Sequence, residues 1–170
     1  SLTVPAHWYD ADNPTPTGRE LVTNGGFDTD LSGWTDSSTG TGTVTVNGSN
    51  QVELYRANAS NRGTISQDIT FGSGSTYVVT VTKVDSSTSV QAKAGHVNVD
   101  SATLLGTMQS AGEYSFTFQS TQYLHLLNIT NGSTATIDNV SVRQVSAPQF
   151  GWPEPEYISG ELVDNKTFDT

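Results

Sequence analysis

No cysteine occurs anywhere in the chain, which excludes disulfide staples, thiolate metal sites and cysteine nucleophiles, while leaving the compartment open. Basic residues are scarce too: 7 stand against 17 acidic ones for a formal charge of −10. Such a surface repels phosphate backbones and anionic headgroups, so neither nucleic acid nor a membrane surface is an expected partner. No apolar run approaches the ~18 residues a membrane span needs, and no basic-then-apolar segment opens the chain. That is the pattern of a soluble chain made in the cytoplasm or already processed. Helix formers are few, with three lysines, one methionine and ten leucines beside 25 threonines, 20 serines and 16 glycines. This composition favours strands and turns and predicts an all-β protein. Catalytic signatures are missing as well. The three histidines, His7, His96 and His125, are scattered, no Gly-rich phosphate loop or serine-nucleophile motif occurs, and Glu53 and Glu113 fall on separate predicted strands. The chain is not expected to be an enzyme.

At 170 residues the chain accommodates one domain with a full core and two flanking segments. Residues 1–19 hold three prolines and no hydrophobic period, the mark of an extended N-terminal arm. From Glu20 short alternating runs appear, bounded by Gly, Asn, Asp and Ser, as in a sandwich or barrel. Strands are predicted near 19–23, 43–47, 51–57, 63–71, 75–84, 89–98, 112–119, 122–130 and 135–145. Tyr114, Phe116 and Phe118 alternate with polar neighbours, so that strand lines a core on one face. The stretches 77–81 and 123–127 are apolar on both parities and read as central strands covered on two sides. Residues 146–170 form a second arm, rich in proline and aromatics.

The arm ends in a repeat. Glu20 to Thr29 reads ELVTNGGFDT and Glu161 to Thr170 reads ELVDNKTFDT, identical at seven of ten positions. The longer opening ELVTNGGFDTDLSGW is followed by Ile65-Ser66-Gln67-Asp68-Ile69, then Gly74-Ser75-Thr76-Tyr77-Val78-Val79, then Gly112-Glu113-Tyr114-Ser115-Phe116-Thr117-Phe118, and finally Thr136-Ile137-Asp138-Asn139-Val140-Ser141-Val142. In kind and order these blocks resemble the carbohydrate-binding-module superfamily, families 4, 9 and 22 and their relatives. The resemblance implies an antiparallel β-sandwich of jelly-roll type over residues 20–145, flanked by the arms 1–19 and 146–170. Read on their own chemistry, Asn24-Gly25-Gly26 supplies backbone that can reach positive φ in a tight turn, and Phe27 and Trp34 are core anchors.

The same resemblance implies a structural calcium with Asp28 and Asp138 among its ligands, since hard cations gather six to eight oxygens. The alternative for both aspartates is to cap turn amides. For a glycan, a flat ring covers the apolar face of a pyranose while polar groups read its hydroxyls. Tyr55 is the aromatic that alternation points outward, with Arg56, Gln91, Lys93, His96 and Asn128 as candidate polar contacts. Trp8, Tyr9, Phe150, Trp152 and Tyr157 are the natural anchors through which both arms would hold other protein subunits. Two functions follow as expectations. One is a non-catalytic structural or adhesion protein of a larger assembly, a phage virion with the jelly roll displayed on a capsid, tail or fibre, in contact with host-surface glycans. The other is an extracellular glycan-binding module of a secreted polysaccharide-degrading enzyme.

Overall fold

The computed structural model describes residues 18–119 and 122–145. Eleven strands are present there and no helix: β1 (Thr35–Asp36), β2 (Thr43–Val46), β3 (Val52–Asn58), β4 (Asn61–Arg62), β5 (Thr64–Gln67), β6 (Thr76–Lys83), β7 (Val90–Ala94), β8 (Thr103–Met108), β9 (Gly112–Phe118), β10 (Leu124–Asn128) and β11 (Ser133–Val145). All pairings are antiparallel. One sheet runs β2-β3-β11-β6-β9, with β4 added to β3, and the other runs β1-β5-β10-β7-β8. The protein is an all-β sandwich of jelly-roll type.

The core lies between the sheets. Val52, Leu54, Val79, Val81, Ile137 and Val142 enter from the six-stranded sheet, and Ile65, Val90, Ala92, Met108, Leu124 and Leu126 from the five-stranded one. Alternation places them there, one residue in two along each strand. Phe118 joins the core, with Tyr114 and Phe116 packed against it. Phe27 is fully buried and its ring centroid lies 5.6 Å from that of Trp34, so both aromatics of the opening segment serve the core.

Three sequence expectations need correction. Residues 19–23 do not form a strand; a single bridge, Glu20↔Arg143, and the bond from Leu21 N to Val142 O join this segment to β11. Contact with β11 begins earlier still, since Gly18 N donates to Gln144 O. Strand β8 was hidden by Gly106, which interrupts the alternation of Thr103–Met108. Glycine stands there because a Cβ would lie 2.1 Å from Phe116 Cε1. The strand expected over 89–98 stops at Ala94, where Gly95 turns the chain at φ 103° and Asn98 Oδ1 accepts from Asp100 N.

The opening turn also works differently. Positive φ falls on Asn24 (52°) and Phe27 (50°), not on the glycines between them. Gly25 is required by close approach: a Cβ would sit 1.9 Å from Val140 O, while Gly25 O accepts from Val140 N. The expectations for the arms and for the C-terminal repeat fall largely outside the described residues.

Candidate functional site

The opening segment is fastened by one carboxylate. Glu20 Oε1 accepts from Leu21 N, Val22 N and Val142 N, and Oε2 from Arg143 Nε and the Ser141 hydroxyl. Partial burial pushes this carboxyl up, but the bonds from Ser141, Val142, Val22 and Arg143 outweigh it and hold it below the ordinary glutamate value. Asn24 completes the clasp: its Nδ2 reaches Asp30 O and Ser32 O, and its carbonyl accepts from the Trp34 indole at 3.0 Å.

Asp28 follows in an exposed position, and its carboxylate accepts no hydrogen bond among the described residues. Asp138 lies on β11, where its Oδ1 accepts from Asn139 N at 2.7 Å beside the bulge between Asp138 and Ser141. No three of His, Cys, Asp and Glu gather into a metal-binding group among the described residues. A calcium shell on these two aspartates would therefore draw most of its oxygens from backbone carbonyls, of which Asn24 O and Gly25 O already accept protein donors.

The residues singled out for a glycan do not converge. Tyr55 does point outward and is 37% exposed, but on β3 of the six-stranded sheet. Arg56, next to it, spends its guanidinium on Asn131 Oδ1, Asn128 O and Ala59 O. Asn128 is fully buried: its Nδ2 donates to Leu54 O and Ser133 O, each at 2.9 Å, and its Oδ1 accepts from Thr130 N. It staples β10 of one sheet to β3 of the other and is no surface contact. Lys93 and His96 belong to the five-stranded sheet and its loop, so Tyr55 and Lys93 occupy opposite sides of the sandwich.

The more informative surface is the outer face of the five-stranded sheet. Register places Thr35, Ser66, His125, Lys93 and Leu104 in one row across it, with Thr64, Leu127, Gln91 and Thr107 in the next. A polar outer face of an antiparallel sheet is ordinarily wet. Here Thr64, Ser66, His125 and Leu127 are all buried. The cover is the segment 95–102 between β7 and β8, whose Val99 and Ala102 are buried outside the sandwich core. Three pins hold it: Lys93 Nζ donates to Val99 O at 3.0 Å, His125 Nε2 donates to His96 O at 2.6 Å, and Arg62 pairs with Asp100.

Because His96 O can only accept, His125 carries its proton on Nε2. Its Nδ1 then accepts from the Ser66 hydroxyl at 2.6 Å. Burial, ahead of the nearby Lys93 and His96, outweighs the His96 carbonyl and holds the imidazole below its ordinary value. The spacing of Ser66 and His125 is that of a nucleophile and its base. Yet both are sealed, and β5 is paired on both sides, so its amides are spent on the ladders instead of forming an oxyanion hole.

On the same face Thr64 Oγ1, and close to it in the chain Arg62 Nε, are buried with no hydrogen-bond partner among the described residues. Each such group costs about 1–3 kcal/mol. The sequence signal for this face was the run 123–127, read as covered on two sides. The cover itself, eight residues of ordinary loop composition, gave none.

At the root of the covering segment a pocket of about 480 Å³ opens between β8 and β9, lined by Ala94, Gly95, Thr103, Leu104, Phe118 and Gln119 among others. Leu104 is half exposed there.

No protein-family profile matches the sequence, and no curated protein matches it. Solved structures do. The CBM22-1 xylan-binding domain of Paenibacillus barcinonensis Xyn10C superposes with a TM-score of 0.56 at 15% identity, over 78% of this chain and 99% of that domain. The fold is that of a carbohydrate-binding module. The CBM22-1-GH10 modules of Clostridium thermocellum xylanase 10B, in complex with xylohexaose, match with a TM-score of 0.58 at 13% identity, over 76% of this chain and 29% of that one. The enzymatically active domain of bacteriophage CBA120 tailspike protein 4 matches with a TM-score of 0.55 at 17% identity. The chain covers 74% of its own length in that match but spans only 21% of the tailspike chain. At these identities the likeness is one of fold.

Proposed function

We propose that the protein is a non-catalytic glycan-binding or adhesion module carried on a larger assembly. The observation that carries the reading is the outer face of the five-stranded sheet in a carbohydrate-binding-module fold, where the half-buried Gln91 and Lys93 lie in the same two rows as Ser66 and His125, both buried, and Leu104 and Leu127. Hydroxyl, amide and ammonium groups in a row suit a neutral polysaccharide chain, and the charge of −10 disfavours anionic ones. Affinity electrophoresis in gels containing xylan or mannan tests it. Retardation by at least one, weakened about tenfold by Gln91→Ala with Lys93→Ala, is the expected result. Unretarded migration in both gels from pH 5 to 7.5 rejects the reading.

The finer assignment is a phage virion component, held by neighbouring subunits through Trp8, Tyr9, Phe150, Trp152 and Tyr157. The tailspike likeness supports it. Deleting residues 146–170 is expected to abolish incorporation into the particle, and unimpaired incorporation rejects it. The xylanase likeness supports the second reading, a glycan-binding module of a secreted polysaccharide-degrading enzyme. Calcium on Asp28 and Asp138 belongs to either reading. Because a ligand bound only by the folded state raises stability, a chelator is then expected to lower the Tm of wild type and leave Asp138→Ala unmoved. An unmoved wild type removes the metal.

A further inference from the structure

The covering segment is unusual in what it hides. Loops laid over a sheet normally bury apolar side chains, and a buried polar group left without a partner is rare. On the face that residues 95–102 cross, Thr64, Ser66 and His125 are buried together with Leu127, and two polar atoms, Thr64 Oγ1 and Arg62 Nε, have no hydrogen-bond partner among the described residues. The pins are mixed in strength. Asp100, the acidic half of the Arg62 pair, has a side chain 67% exposed against 14% for Arg62, so the pair is hydrated and weakened on its acidic side. Val97, at the middle of the segment, is exposed. Gly95, at its root, adopts a φ of 103°, a conformation from which only glycine swings freely. Gly95, the first residue of the segment, and Thr103, which follows its last, both line the pocket beside it.

We infer that residues 95–102 form a strap that gates a polar groove on the five-stranded sheet, and that a neutral oligosaccharide occupies this groove when the strap lifts. The inference rests on the glycan-binding reading above and adds its regulation. Lifting the strap opens the two adjoining rows that hold Thr64, Ser66, Gln91, Lys93 and His125 together with Leu127, and gives the orphaned Thr64 hydroxyl a partner in sugar or water. Acid favours the lifted state. Charging His125 under the strap places a cation beside Lys93 and His96, with Ser66 on β5 and the Tyr123 ring stacked at 6.0 Å as its uncharged neighbours. The nearest acid of the strap, Asp100, is already committed to Arg62.

The test uses the full chain with Val99→Ser and Asp100→Ala combined, which loosens the strap without touching the groove rows. Two readouts are taken: the titration of His125 by imidazole NMR, and binding of xylohexaose and mannohexaose by NMR titration at pH 7.5 and 5.0. In the variant the His125 midpoint is expected to rise toward the ordinary imidazole value. At least one hexasaccharide should bind at least fivefold tighter than to wild type at pH 7.5, shifting Ser66 and Lys93. Wild type should show the same gain on moving to pH 5.0, which keeps the test intact if the variant does not fold. A folded variant with unmoved His125 and unchanged affinity overturns the strap. Tight binding to wild type at pH 7.5 with His125 unmoved overturns it too, while leaving glycan binding standing. A strap that opens onto a groove binding neither sugar overturns the ligand assignment and the functional reading of this face together.

Discussion

The two outer faces of the sandwich are built from similar residues and end in opposite states. On the six-stranded sheet Thr43, Thr45, Glu53, Tyr55, Thr134, Glu113, Ser115 and Thr117 face outward, and all are exposed except Glu53, which is half-buried. On the five-stranded sheet Thr64, Ser66 and His125 face outward and are sealed. Composition does not separate the two, so polarity alone does not say which face is wet. The difference lies in the connections: among the described residues no loop is laid across the outer face of the six-stranded sheet as residues 95–102 are across the other, although Val78 on β6 is buried there too. Their electrostatics differ in kind as well. Beside the six-stranded sheet the Lys83 side chain is fully buried and pairs with Asp85 at 3.1 Å, a fixed contact. Beside the five-stranded sheet the Arg62–Asp100 pair is open to water on its Asp100 side, 67% exposed, while the Arg62 side chain is 14% exposed.

The largest effect follows from this contrast. Asp85 accepts from Thr88 N, the Thr88 hydroxyl and Thr136 N besides pairing Lys83. Asp85→Ala strands a buried ammonium, at a cost of about 3–5 kcal/mol in urea unfolding. Asp100→Ala, the same operation on the other face, is expected to cost at most about 1 kcal/mol. Equal losses at the two sites would erase the distinction between a fixed and a releasable pair.

A smaller effect is expected at the turn beside β11. Gly25→Lys places a Cβ at 1.9 Å from Val140 O, an overpacking worth about 1–3 kcal/mol. Gly26→Thr meets only Asp28 Oδ1 at 3.4 Å and should be far milder. The pair bears on the repeat, because Lys166 and Thr167 stand at the equivalent positions of the copy. The copy keeps Glu, Leu, Val, Asn and Phe, the residue types of Glu20, Leu21, Val22, Asn24 and Phe27 that seat the opening segment. It changes the one glycine on which that seat depends. A Gly25→Lys variant as stable as wild type would show that the copy can take the same seat unchanged.

These positions also show what sequence could and could not reveal. Phe27, Trp34 and the alternation of Tyr114 to Phe118 were legible because burial follows period and size, both local properties. The seal over 123–127 was legible as a fact but not in its agent, because a loop's path depends on distant pins such as Arg62–Asp100, 38 positions apart. Asn128 was misplaced because a polar side chain can satisfy itself inside a sandwich by bonding backbone carbonyls of both sheets. Gly25 was read as a residue free to reach positive φ and is needed for close approach to Val140 O instead, since φ cannot be told from close approach before the partner strand is known.

Acid should dismantle the two faces in order. His125 prefers its neutral form when folded, so its contribution is complete above the ordinary imidazole value of 6.5 and declines as pH falls below it toward the lower folded value. Asp85 has its carboxyl lowered to about 2 from 3.8: burial pushes it up, but Thr88, Thr136 and Lys83 outweigh that. Its contribution is present above 3.8 and is lost between there and about 2. Glu20, also lowered, follows the same sign. The protection factors of the amides in residues 95–102 are therefore expected to fall as pH drops below 6.5, while those of β6 and β11 hold until pH falls below 4. Simultaneous loss on both sheets would mean that the strap and the body form a single cooperative unit.

The smallest expected effect is at Tyr55, and it decides which face matters. Its side chain is outward on β3, opposite Thr43 on β2 and Thr134 on β11, and no second aromatic shares that outer face among the described residues. A single ring flanked by threonines covers one pyranose at most, without the neighbouring platform that would hold a chain in register. Tyr55→Ala is expected to leave stability within about 0.5 kcal/mol and migration in xylan or mannan gels unchanged. Lost retardation in Tyr55→Ala, with Gln91→Ala/Lys93→Ala behaving as wild type, would reverse the comparison. The exposed face would then be the binding surface, and the sealed one only a second core, built from polar side chains and closed by its own loop.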